Sequence, residues 1–226
     1  MILEKCKQDL ADLYAILAYF KWDDLIYTHA SIRLPKTTRF LINQFGLRFD
    51  EVTPDNLVVV DSRNNDLELV NPAGHNIHST IYKARPDVNC VIHTHTKEGI
   101  AVSASRLGLL PISQYSVGVM KSLAYHDYNG LEVDPDGTLR KDMDNKNHII
   151  LRNHGLLTVG NDVVNAFFNM YNLQKACEVQ VLTPADCVLI KEEVLSTAQE
   201  KVKIFNSPQP HRPLAWDAIK RLANRV

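Results

Sequence analysis

Apolar side chains recur at Leu10, Leu13, Tyr14, Leu17 and Ala18, with charged residues on the intervening positions. That spacing predicts an amphipathic helix over residues 2–20. The period then shortens. "HASIRL", "RFLI", "LVVVD" and "LELV" are short strand-like runs, separated by turn chemistry in "TPDN" and "SRNND". Asn71-Pro72-Ala73-Gly74 reads as a turn before a helix from about His75 to Ala84, which Arg85-Pro86-Asp87 ends. "VNCVIHTH" reads as a strand buried on both faces, and residues 97–107 as another helix.

Residues 108–146 have no clear period, and short strands are expected near 110–113 and 131–133. "HIILRNHGLLTVG" predicts two strands joined through "RNHG". Asn161 is placed as the cap of a long helix over about 162–182, with Phe167, Met170, Tyr171 and Leu173 on its apolar side, and Pro184 closes it. A charged helix over about 190–204 follows, and "SPQPHRP" leads into a last short helix. Strands and helices interleaved with hairpin-length connections predict an α/β fold. It has one domain over residues 1–205, a mixed sheet covered by helices, with 206–226 a linker and terminal helix.

Composition narrows the class. With 226 residues, 45% of them hydrophobic, the chain can bury a sizeable core without staples. A net charge of −1 favours neither nucleic acid nor an acidic membrane surface. Cys6, Cys90, Cys177 and Cys187 form no CxxC pair and read as reduced thiols of a cytoplasmic protein. The charged start "MILEKCKQDLADLY" reads as no signal peptide, and no run approaches the roughly 18 apolar residues of a spanning helix. No membrane insertion is therefore expected.

The candidate chemistry sits in "VIHTH". In a strand, residues i and i+2 share a face, so His93 and His95 can grip one ion at the strand's end. They can equally be two polar residues where a strand leaves the core. "RNHG" adds His154, which a tight turn with Gly155 can aim back at the sheet. A catalytic zinc site takes three protein ligands and leaves a position open, and these three histidines meet that count.

The segments "FGLRFDEVTPDNLVVVD", "IHSTIYKARPDVNCVIHTH" and "ILRNHGLLTVG" resemble the class II aldolase/adducin family over roughly residues 8–185. "GLLPIS", "LAYHDYNG" and "KACEVQV" look closer to adducin head domains and their bacterial relatives than to the sugar-phosphate aldolases. The resemblance implies a central, largely antiparallel sheet between helical layers, assembled as a homotetramer. It also implies Zn²⁺, or another divalent ion such as Mn²⁺, on His93, His95 and His154. That ion would act as a Lewis acid on a carbonyl of a small-molecule substrate. Tyr125 falls near the position of a tyrosine acid supplied across a subunit boundary, and a packed aromatic is the competing reading.

The same resemblance marks departures. The acidic residue of the sugar-phosphate enzymes falls on Gly74, and the Ser pair before it on Pro72 and Ala73. The Gly-Asn pair near the first strand appears as Thr28-His29, and a Thr-Gly phosphate turn as Phe45-Gly46. Gly46, Gly74 and His29 therefore stand at substrate-binding positions with phosphate donors missing. His75 and His29 are candidate replacements for the lost acid/base or anion contact, since imidazole titrates near neutrality. His78 reads as packing or an outer-shell contact.

Two functions follow from the resemblance. One is a metal-dependent lyase performing aldol cleavage or related enolate chemistry on a small, unphosphorylated oxygenated compound. The other is a non-catalytic adducin-like scaffold, possible in an actin-binding cytoskeleton. The sequence ends at Val226 without the basic tail of adducin, which is expected to weigh against the second.

Overall fold

The computed structural model describes residues 2–63, 68–130, 137–205 and 211–223. In chain order they form α1 (Ile2–Tyr19), β1 (His29–Arg33), β2 (Arg39–Asn43), a 3-10 turn (Phe49–Glu51), β3 (Leu57–Asp61) and α2 (Pro72–Ala84). Then come β4 (Cys90–Thr94), α3 (Lys97–Ser103), α4 (Gln114–Met120), β5 (Leu123–His126) and α5 (Leu139–Met143). The remainder is β6 (His148–Leu151), β7 (Gly155–Gly160), α6 (Val163–Leu182), α7 (Glu192–Phe205) and α8 (His211–Ala223).

The strands make one seven-stranded sheet in the order β3-β2-β1-β4-β7-β6-β5. Every pairing is antiparallel except β5 with β6. Alternation along each strand divides the core into two layers. Ala30, Leu41, Cys90, Ile92 and Leu156 face α1 and α6, where Leu10, Leu13, Tyr14, Leu17 and Phe167 are fully buried. Each such apolar side chain contributes about 1.5–3 kcal/mol by leaving water. Phe40, Ile42, Val91, Leu157 and Val159 point the other way and pack with Ile77, Ile81 and Tyr82 of α2. β4 lies at the centre with all five residues buried, as its unbroken apolar run predicts.

Several expectations need correction. Residues 72–74 are not a turn before α2 but its first turn: the Asn71 side chain caps the helix and Pro72 opens it. Residues 68–70 of "LELV" form a turn, and Leu67 lies outside the described residues. The helix expected over 97–107 ends at Ser103. No strand forms at 110–113, and 131–133 lies outside the described residues. The irregular stretch instead carries α4, β5 and α5. The cap of α6 is Asp162, which accepts from the Asn165 amide, rather than Asn161. The last short helix expected after the linker forms as α8, with Trp216 buried and its ring 5.5 Å from that of Phe167.

Candidate metal centre

β4 ends at Thr94 against the start of β7, and this meeting builds the site. His93 sits on the α2 face of β4, directly opposite His29 of β1. His95 follows as the strand leaves the sheet, just before Thr96 caps α3. His154 comes from the β6–β7 turn, where Asn153 adopts a left-handed φ of 57° that asparagine tolerates. Gly155 is required by close approach: a Cβ there would meet the Thr94 carbonyl oxygen at 2.4 Å. The turn is anchored by Arg152, which donates to the Ser105 carbonyl at 2.7 Å and lies 4.1 Å over the Tyr125 ring.

One ring nitrogen of each of His93, His95 and His154 lies within 4.8 Å of the others. The His95 Nε2 is 2.9 Å from both the His93 and the His154 Nε2. The opposite nitrogens fix the tautomers. His93 Nδ1 faces the Leu156 carbonyl at 2.9 Å and must donate. His95 Nδ1 faces the Asp24 carboxylate at 2.9 Å and must also donate. In the neutral imidazoles both Nε2 atoms then carry lone pairs, and two lone pairs 2.9 Å apart repel unless a proton or a metal ion lies between them. A carboxylate or carbonyl behind each imidazole is the usual outer support of metal-ligating histidine. The donor set fits a divalent ion that takes nitrogen ligands. Burial holds the His93 imidazole well below its ordinary range, with the neighbouring imidazoles adding to the effect. Burial, then His95 and His126, push His154 down to about 4, so both stay neutral ligands near neutrality.

The triad opens on a cavity of about 250 Å³ that also receives Asp24, Tyr27, His29, Asn71 and Tyr128. A larger hollow of about 1020 Å³ between α4, α6 and α8 is not taken as the chemical centre, because among the described residues no converging set of metal ligands lines it. His29 reaches the cavity rim with its Nδ1 tied to His78 Nε2 at 2.7 Å. Burial, then the nearby His95 and His154, lower its pKa to about 3. Gly74 explains how His29 fits. A Cβ on Gly74 would meet the His29 ring at 2.7 Å, so the imidazole occupies the volume a side chain would need.

The other candidates stand elsewhere. His75 is buried and directed away from the triad: its Nε2 approaches the Asp61 carbonyl at 3.2 Å and the Ser79 hydroxyl at 3.3 Å, and its ring stacks on Phe40. Tyr125 is held within its own chain, accepting from the Leu109 amide at 2.9 Å beneath Arg152. Gly46 forms a turn after β2 at φ 100° and does not line the cavity. Reading the sequence missed Asp24, Tyr27 and Tyr128. "KWDDLIYTH" holds Asp24 and Tyr27, but only the turn from α1 into β1 brings them to His95 and His29, and Tyr128 comes from the loop after β5.

The start of α2 is closed on itself. Pro72 has no N–H, Asn71 Oδ1 accepts from the Ala73 and Gly74 amides at 3.0 and 3.4 Å, and the His75 amide donates to the Asn71 carbonyl. No first-turn amide is left for an anion, which helix N-termini otherwise bind.

The profile of the "Class II Aldolase and Adducin N-terminal domain" family matches residues 8–181. The chain belongs to the class II aldolase/adducin family. This member is 43% identical over 224 residues to a Pseudomonas aeruginosa protein named for the class 2 aldolases, covering 94% of this chain and 86% of that one. It is also 44% identical over 193 residues to rat alpha-adducin, covering 81% of this chain but only 26% of the adducin. A crystal structure of an aldolase II superfamily protein from Pseudomonas syringae matches with a TM-score of 0.93 at 40% identity, over 99% of this chain and 94% of that one. The L-fuculose 1-phosphate aldolase of Glaciozyma antarctica matches with a TM-score of 0.82 at 28% identity, over 98% of this chain and 91% of that one. Among the described residues, no helix is long and apolar enough to cross a membrane.

Proposed function

We propose that this family member is a lyase of the aldolase type that uses a divalent ion, Zn²⁺ or Mn²⁺, on His93, His95 and His154. Its substrate is a small oxygenated compound without a phosphate. The observation that carries the reading is the convergence of imidazole lone pairs within 4.8 Å, with two of the rings locked from behind. An ion held there supplies Lewis-acid polarisation of a carbonyl. Asp24 fixes the orientation of His95, and Leu156 that of His93. Tyr27 and Tyr128 line the same cavity, where their phenols can exchange protons with the substrate: the hydroxyl that becomes the new carbonyl gives one up as the C–C bond breaks, and the enolate carbon takes one. Tyr125 and His75, bonded away from the cavity, have no part in this step.

The small cavity supports a compact substrate, since drug-sized ligands occupy about 300–1,000 Å³. No lysine or arginine is among its described lining residues. Together with the closed start of α2, this supports an unphosphorylated substrate despite the likeness to an L-fuculose 1-phosphate aldolase. The homotetramer belongs to the same proposal and is tested by sedimentation. The similarity to alpha-adducin favours a second reading, a scaffold in which the triad has no turnover to support.

Metal analysis of the purified protein and calorimetric zinc titration after chelation test the ion, and turnover separates the two readings. The lyase reading expects one ion per chain, followed by retro-aldol turnover in a screen of small hydroxy-carbonyl compounds. Failure to bind zinc or manganese would end it.

A further inference from the structure

Behind His29 runs a buried hydrogen-bonded chain that ligand binding by the triad does not use. His29 Nδ1 meets His78 Nε2 at 2.7 Å, His78 Nδ1 meets the Ser31 hydroxyl, and that hydroxyl meets the Tyr82 hydroxyl at 2.7 Å. His78 and Ser31 are fully buried and Tyr82 is 5% exposed. Strand alternation places His29 and Ser31 on one face of β1, and helical spacing places His78 and Tyr82 one turn apart on α2. At the far end, the Arg33 guanidinium lies 4.7 Å over the Tyr82 ring and donates to the Tyr82 and Arg85 carbonyls.

Four groups in a row with neutral imidazoles allow two proton arrangements. In one, Tyr82 donates to Ser31, Ser31 to His78 Nδ1, and His78 Nε2–H to His29 Nδ1. Each donor inside the row then has an acceptor, and the one proton left over is His29 Nε2–H, at the end of the row that lines the cavity. In the other, all the bonds reverse. The Tyr82 O–H then has no acceptor among the described residues and is buried without one, an arrangement folded proteins avoid. A phenol is also a better donor than an aliphatic hydroxyl, and the Arg33 charge over its ring strengthens that preference.

We infer that the Tyr82–Ser31–His78 chain sets His29 as an Nε2–H donor facing the cavity, so that His29 grips an acceptor oxygen of the substrate and does not abstract a proton. His29 lines the cavity, and its ring centre is 5.1 Å from that of His93. Gly74 leaves the room for it. The ligand class is a carbonyl, carboxylate or alkoxide oxygen lying beside the triad. Ser31, His78 and Tyr82 are positioning residues. The substrate role rests on the lyase reading above, whereas the direction of the chain does not.

The test is a long-range ¹H–¹⁵N correlation spectrum of the full-length protein with ¹⁵N-labelled histidine, metal-free and zinc-loaded, with His29 assigned through His29→Asn. The expected result is a single Nε2–H tautomer for His29 in both forms. An Nδ1–H tautomer would overturn the inference and make His29 a base. Ser31→Ala cuts the chain and is expected to give His29 a mixture of tautomers, with zinc content unchanged and Ser31→Thr restoring the single form. An unchanged tautomer in Ser31→Ala would remove the positioning role. Should Ser31→Ala not fold, the wild-type spectrum alone decides the direction. Loss of zinc binding in the wild type would sink the lyase reading and leave the tautomer result standing.

Discussion

The triad corner and the start of α2 lie on one cavity and have been treated oppositely. At the triad, the Nδ1 atoms of His93 and His95 are satisfied by Leu156 and Asp24 so that Nε2 lone pairs converge without partners of their own. At α2, the donors are satisfied by Asn71, and Pro72 removes one altogether. One end is built to accept something from outside, and the other has closed its account internally. A site is therefore recognised less by how many polar groups it collects than by which of them the fold leaves unanswered.

The contrast breaks most severely if the triad is cut. His154→Ala should reduce zinc affinity by more than the 10–100-fold typical of losing an outer-shell partner, with circular dichroism unchanged. Retention of a full equivalent of zinc would mean that the ion sits elsewhere.

Acid supplies a graded version. The unfolded chain takes up protons at its histidines near pH 6.5, whereas folded His154 resists until about 4 and folded His29 until about 3. Stability from these groups is thus present above pH 6.5 and lost as the pH falls from there toward about 4. The loss is about 1.4 kcal/mol per pH unit for each histidine. Chelator-treated protein melted from pH 7 to 4 should show this slope, and His154→Ala should flatten it by one histidine's share. A pH-independent melting temperature would contradict the burial assigned to these rings.

Asp24→Asn should weaken zinc binding 10–100-fold in calorimetry without removing it, since it turns His95 loose but leaves its nitrogen. Gly74→Ala forces the His29 ring to move and should cost about 1–3 kcal/mol in urea unfolding. A neutral substitution would show that the ring has room to spare. The smallest effect belongs to Asn71→Ala, at about 1 kcal/mol for a lost helix cap. It frees the Ala73 and Gly74 amides, so weak inorganic phosphate binding should appear by NMR titration where the wild type has none.

Legibility in the sequence followed physical scale. β4, β6 and β7 were readable because each is a buried, β-branched run bounded by turn residues, and the "RNHG" turn announced itself through Asn153 and Gly155. Their histidines were readable with them. α4 and α5 were not, because helices of seven and five residues have too few turns to show a period. They exist through tertiary contacts, α4 with a Ser113–Ser116 capping box and α5 by burying Leu139 and Met143. His29 was a candidate by resemblance, yet the role proposed for it depends on the β1–β4 register that sets it opposite His93. Asp24 sits in a turn whose shape depends on left-handed backbone at Lys21 and Leu25, where no glycine marks it. His75 misled because its titratable ring says nothing of which way α2 turns it.

The contact between α8 and the opening helix has a consequence for synthesis. Trp216 lies in the same core layer as Leu10 and Leu13, and Lys220 approaches the Asp12 carboxylate at 3.8 Å. The residues of α1 are thus sealed by residues made some two hundred positions later. Until α8 emerges from the ribosome, part of the apolar layer on the α1–α6 side remains wet, and a nascent chain stalled before residue 211 presents a sticky face to chaperones.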